Sequence, residues 1–112
     1  MQSQKSEHPH YLGHRKRIRE RFLKTGLASF HDYEVLELLL TFAIAQKDVK
    51  VLAKQLISRF QTFQGVLDAP LNELKTVSGI GEHCALLMKL VKECSDFYLR
   101  GKIYHKDIIS SP

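Results

Sequence analysis

The residues whose types and spacing could do chemistry fall in two places: the turn Ser78-Gly79-Ile80-Gly81, and a run of cations formed by Arg15, Lys16, Arg17, Arg19, Arg21 and Lys24. Both suit the holding of phosphates rather than covalent catalysis. A turn of four residues between packed helices must reverse the chain quickly, and glycine can adopt positive φ without a Cβ clash. Gly79 and Gly81 are expected to do so twice. With Gly81 opening a long helix, the N–H groups around residues 79 to 83 would lack intrahelical partners and point outward with the positive end of the helix dipole. Two missing side chains would let a phosphate come close. Ile80, between the glycines, should turn inward and pin the two helices. The apolar spacing Leu71, Leu74, Val77 before the turn and the small Ala85 after it complete the pattern of a helix-hairpin-helix over residues 71–99.

The cations gain weight from how the charge is divided. The chain carries a formal +5, yet residues 1–30 hold seven Lys or Arg against two acids, while residues 31–112 hold ten against ten. The whole excess therefore sits in the first quarter, mostly between Arg15 and Lys24, where only Glu20 opposes it. Such a concentration is an electrostatic footprint for a polyanion. The candidate nucleic-acid-binding residues are Ser78, Gly79, Ile80, Gly81 and His83 at the turn, with Arg15, Lys16, Arg17, Arg19 and Arg21 on the first helix. Contacts of this kind position a protein on a backbone without reading bases. Against them stand Glu82, which would repel a phosphate, and His83, which supplies no permanent charge. A protein-interaction adaptor that keeps the hairpin but no longer binds DNA is the alternative reading, and a solvated helix face is the alternative for the arginines.

The elements that must position these groups follow from periodicity. A helix is expected from Gly13 to about Lys24, with Ile18 and Phe22 near one face and Thr25-Gly26 as its stop. Asp32-Tyr33-Glu34 places acids at a helix N-terminus, and the nearly all-apolar run Val35 to Ile44 reads as a buried central helix. Asp48 can cap a third helix carrying Val51, Leu52, Leu56, Ile57 and Phe60. Phe63, Val66 and Leu67 make a short turn or helix before Ala69-Pro70, and Pro70 suits the first turn of the next one. Ala85 to Phe97 gives a long final helix. No sustained two-residue alternation occurs, so the fold class is all-α: a compact bundle of about five helices ending in the hairpin. Residues 1–11 read as a flexible tail, 12–99 as the domain and 100–112 as a linker.

Other chemistries find little support. At 112 residues and 44% hydrophobic content the chain has room for one domain. Its apolar stretches fall far short of the roughly 20 residues that span a bilayer, and residues 1–9 lack the apolar core of a signal peptide, so a cytoplasmic protein without membrane contact is expected. Cys84 and Cys94 are ten residues apart on one helix, about 15 Å by helical rise, too far for the roughly 7 Å limit of a disulfide. Neither has a His at ligand spacing, and His8, His10 and His14 in a proline-containing segment read as solvated, so no metal or cofactor is expected. Tyr11, Phe30 and Tyr33 read as packing residues rather than base-stacking platforms.

Three segments carry a family resemblance: Gly13-His14-Arg15-Lys16-Arg17-Ile18-Arg19-Glu20-Arg21-Phe22, Asp32-Tyr33-Glu34-Val35-Leu36-Glu37-Leu38-Leu39-Leu40, and Ser78-Gly79-Ile80-Gly81. Over about residues 12–99 the chain resembles the N-terminal domain of the RadC family of bacterial proteins. The resemblance implies a helical domain preceding a JAB/MPN-type domain, with Ile108-Ile109-Ser110-Ser111-Pro112 similar to the junction into it, and a DNA-associated role traditionally described as repair. The second domain's metal motif, HxH followed by SxxD, does not occur in these 112 residues, and no catalytic residue is implied. Helix-hairpin-helix lyases place a nucleophilic lysine two residues after the second glycine; here that position is His83, so a glycosylase is not expected.

Overall fold

The computed structural model describes residues 10–45 and 47–110, with side chains at 13–45 and 47–104. The described residues are all-α and contain six helices: α1 (His10–Thr25), α2 (Asp32–Ala43), α3 (Lys50–Phe60), α4 (Phe63–Asp68), α5 (Leu71–Leu74) and α6 (Glu82–Ser110). They divide into two compact units, the boundary falling between Val66 and Leu67. Of the expected flexible tail, residues 1–9 lie outside the described residues, as do His8 and Ser111-Pro112 at the expected junction.

In the first unit α2 packs on both α1 and α3. Leu36, Leu38 and Leu40 of α2 meet a core that includes Ile18, Val49, Ala53 and Leu56, all buried. The expectation that α2 is buried on every side is corrected: Phe42 is 69% exposed, and Phe22 of α1 and Val51 of α3, expected on buried faces, also face solvent. An apolar run in the sequence does not say which of its faces finds a neighbour. The ends are well determined. Gly26 stops α1 with φ of 70° and donates its N–H to the Phe22 carbonyl. Asp48 Oδ1 accepts the Lys50 N–H at 3.0 Å, the expected start of α3. Asp32 serves a second helix as well, accepting the Phe63 N–H at 3.0 Å where α4 begins. Gly65 sits so close to α3 that a Cβ there would lie 2.1 Å from the Phe60 carbonyl oxygen.

In the second unit α5 packs on α6. Pro70, extended at ψ 149°, precedes the single turn of α5. Leu74, Val77, Ile80, Cys84, Ala85 and Met88 are buried and make the hairpin's core, with Ile80 turned inward as its position between the glycines implies. The final helix runs well past the Phe97–Leu99 region where sequence pattern fades, reaching Ser110. The mixed composition beyond Arg100 contains no proline before residue 112 and only Gly101 as a breaker, and one glycine costs a helix only about 1 kcal/mol.

Candidate nucleic-acid interface

The basic run of α1 is two sets of residues with different duties. Helix α2 ends at Ala43, leaving carbonyls at its C-terminus without intrahelical donors and with the negative end of the dipole. Arg15 reaches across to this end: Nη1 donates to the Thr41 carbonyl at 3.1 Å, and Nη2 to the Ile44 and Lys47 carbonyls at 2.6 and 2.7 Å. Arg19 Nη2 donates to the Thr41 carbonyl and hydroxyl at 3.2 and 3.1 Å, and its guanidinium lies 4.5 Å from the Phe42 ring centre. The Thr41 hydroxyl in turn donates to the Leu38 carbonyl at 2.6 Å.

At the other end of α2, Arg21 grips Glu34 with two 2.9 Å bonds, the planar fork that suits a carboxylate. It also donates to the Ser29 carbonyl at 2.9 Å and stacks over Phe30 at 4.2 Å. Glu34 closes a capping interaction at the same time, accepting the His31 N–H at 2.9 Å. The Arg21 hydrogen bond, helped by that amide and opposed by partial burial, holds the Glu34 carboxyl down at about 2. Midway along α2, the Glu37 side chain, buried among leucines, meets His14 Nε2 with its Oε2. Burying a carboxylate requires such a partner. His14, Arg15, Arg19 and Arg21 are thus a clasp that fastens α1 to α2. Lys16, Arg17 and Lys24 are exposed and make no hydrogen bond or ion pair among the described residues. Of these three only Lys16 lines the open groove of about 450 Å³ that it shares with Arg15, Arg19, Glu20, Leu23, Thr41 and Ala45.

The hairpin turn keeps part of its expected character. Gly79 adopts φ of 93°, but Gly81 does not have positive φ, correcting the reading that both glycines are needed for it. A Cβ on Gly81 would meet nothing within 4 Å. The Ile80 N–H is not an outward donor either: it donates to the Val77 carbonyl at 3.0 Å. Gly81 caps α6, its carbonyl accepting the Ala85 N–H at 3.1 Å, and a hydrogen bond between its backbone and the Cys84 side chain partly offsets the burial that pushes that thiol up. Ser78, Gly79, Gly81, Glu82 and His83 are exposed at this end. Without any signal in the sequence, Lys89 repeats in the second unit what Arg15 does in the first, donating to the Leu67 and Ala69 carbonyls at 2.8 Å each where α4 ends. Lys92 meets Asp68 at 3.3 Å beside it.

Phe30 and Tyr33 are half-buried and engaged by cations, Arg21 over Phe30 at 4.2 Å and Lys54 over Tyr33 at 5.0 Å, as expected of packing residues. Both cysteines are free thiols. No group of three His, Cys, Asp or Glu able to hold a metal occurs among the described residues, and no described helix is long and apolar enough to cross a membrane.

An all-helical chain whose second unit is a glycine-turned helical hairpin and whose first is an arginine-clasped helical pair defines the class. The chain belongs to the UPF0758 N-terminal family, whose model matches residues 10–86, in agreement with the RadC resemblance of its motifs. A UPF0758 protein of Fusobacterium nucleatum is 38% identical over 97 residues, covering 87% of this chain and 42% of the relative. One from Ruegeria pomeroyi is 40% identical over 104 residues, covering 92% and 46%. The chain thus spans less than half the length of these relatives. No solved structure matches it significantly.

Proposed function

We propose that the chain is a non-catalytic, sequence-tolerant module that holds the phosphate backbone of DNA, within a RadC-like protein associated with DNA repair. The observation that carries this reading is Gly81. Its φ does not require glycine and a Cβ would strike nothing in the protein, so its bare backbone serves no internal packing need and leaves the start of α6 open to a close approach from outside. The exposed turn at Ser78, Gly79, Gly81 and His83 supports the same reading, with the N–H groups of the first α6 turn as donors. Lys16, Arg17 and Lys24 are the cations available for further phosphates, and Arg15, Arg19 and Arg21 contribute by holding α1 in place. A cytoplasmic location fits this role, and a JAB/MPN domain would be the neighbour of the module in a longer protein.

Titrating a labelled DNA duplex with the chain at about 50 and 200 mM salt tests the proposal. Binding at low salt should weaken by about 0.9 log units per log unit of salt for each phosphate neutralised. No binding at low salt would contradict it. The exposed Glu82 beside the turn favours a second reading, an adaptor that contacts protein rather than DNA. Under that reading the duplex titration is flat.

A further inference from the structure

We propose that two copies of this chain pair antiparallel along the Leu87–Tyr104 face of α6. Helix α6 has two faces. Cys84, Ala85 and Met88 are buried in the hairpin, whereas Leu90, Phe97 and Tyr104 are 54, 73 and 69% exposed. Leu87, Leu90, Cys94, Phe97, Gly101 and Tyr104 recur at alternating intervals of three and four, the 3.5-residue repeat that lets one helix lie along another. The stripe is about 27 Å long at 1.5 Å per residue.

The stripe itself selects its occupant. Leu90, Phe97 and Tyr104 lie seven residues apart, and so do Leu87, Cys94 and Gly101, each of the second set smaller than the residue it meets in the dimer. In a single two-fold antiparallel register, Phe97 meets Cys94 of the second copy, Leu90 meets its Gly101, and Tyr104 meets its Leu87. Every bulky side chain faces a smaller one, as close packing requires. A Cβ on Gly101 would meet nothing within 4 Å, so there is space over it for the Leu90 of another copy. The flanks agree. Glu93 and Arg100 lie on one side of the stripe, also seven apart, and the same register brings each Glu93 beside Arg100 of the second copy, twice by symmetry. A parallel pair would instead set Phe97 against Phe97 and Gly101 against Gly101, with no opposite charges alongside. An interface of this length lies at the low end of specific interfaces, so the dimer is a concentration-dependent equilibrium with a dissociation constant in roughly the micromolar range.

Sedimentation of the full chain under reducing conditions, from about 5 to 500 µM, tests this. The expected result is a monomer–dimer equilibrium. Phe97→Glu should leave the thermal midpoint of the dilute monomer unchanged, because the side chain is exposed there, and abolish the dimer. Glu93→Arg and Arg100→Glu should each weaken pairing by about tenfold through like-charge repulsion, and the double exchange should restore it. A monomer throughout the range would overturn the proposal, whether the stripe is bare or awaits a different partner. So would a dimer indifferent to Phe97→Glu. A double exchange that stays weak would overturn the antiparallel register.

Discussion

Replacing Glu34 with Gln keeps the side chain's shape and removes the charge on which Arg21 and the His31 amide converge. Its carboxyl is held at about 2 in place of an ordinary 4.5. At about 1.4 kcal/mol per pH unit that difference sets a ceiling of about 3 kcal/mol on what the ionised group contributes. Glu34 is 16% and Arg21 37% exposed, so solvent and salt screen the pair, and about 1 to 2 kcal/mol is the expected value. Because the folded value is depressed, this stability is fully present above about pH 4.5 and is lost as pH falls through about 2. Glu34→Gln should therefore lower the thermal midpoint by about 5 to 15 °C at pH 7. The gap to wild type should narrow steadily between pH 4.5 and 2. Calorimetry or circular dichroism melts of both proteins across that interval read it directly. Equal midpoints at pH 7, or a gap that does not change on acidification, would refute the reasoning.

Other substitutions separate residues that shape the fold from residues that face outward. Gly79→Ala, at φ 93°, should cost about 1 to 2 kcal/mol in urea unfolding, whereas Gly81→Ala should cost no more than about 1 kcal/mol, the loss expected at a helix cap. Gly65→Ala drives a methyl group into the Phe60 carbonyl and should destabilise by more than about 2 kcal/mol, or shift the α3–α4 junction, visible as displaced amide resonances at residues 60–65. Arg15→Ala removes donors from three carbonyls at the end of α2 and should lower stability by about 1.5 to 3 kcal/mol in the same assay, so any weakening of DNA binding in that variant has to be read against its folded fraction.

What is legible in the sequence is local. The stops and starts at Gly26, Asp48 and Pro70, the inward turn of Ile80, and the helical spacing of Leu74, Val77, Ala85 and Met88 are consequences of backbone preference and short-range pattern. Partner choice is not legible. Nothing in the run Arg15–Lys24 distinguishes a guanidinium that will meet helix-end carbonyls from one that will meet solvent, because the carbonyls belong to Thr41, Ile44 and Lys47, more than 25 residues away. The acids Glu34 and Glu37 hint at it: carboxyl groups in an otherwise apolar helix need polar partners, and the basic helix α1 supplies Arg21 and His14. Gly81 is a special position, as its spacing suggests, but for a different reason: open space rather than φ. The continuation of α6 past Phe97 is hidden because residues 93–104 are exposed, so no core pattern marks them.

The most direct test of the division between clasp residues and the residues proposed to bind phosphate is the salt dependence of duplex binding by the variant Lys16→Ala, Arg17→Ala, Lys24→Ala, followed by fluorescence anisotropy beside wild type. None of the three makes an internal hydrogen bond or ion pair among the described residues, so the variant should melt like wild type while the slope of log affinity against log salt becomes shallower by about 0.9 for each phosphate that is no longer neutralised. An unchanged slope at unchanged stability would contradict the assignment of phosphate binding to these residues.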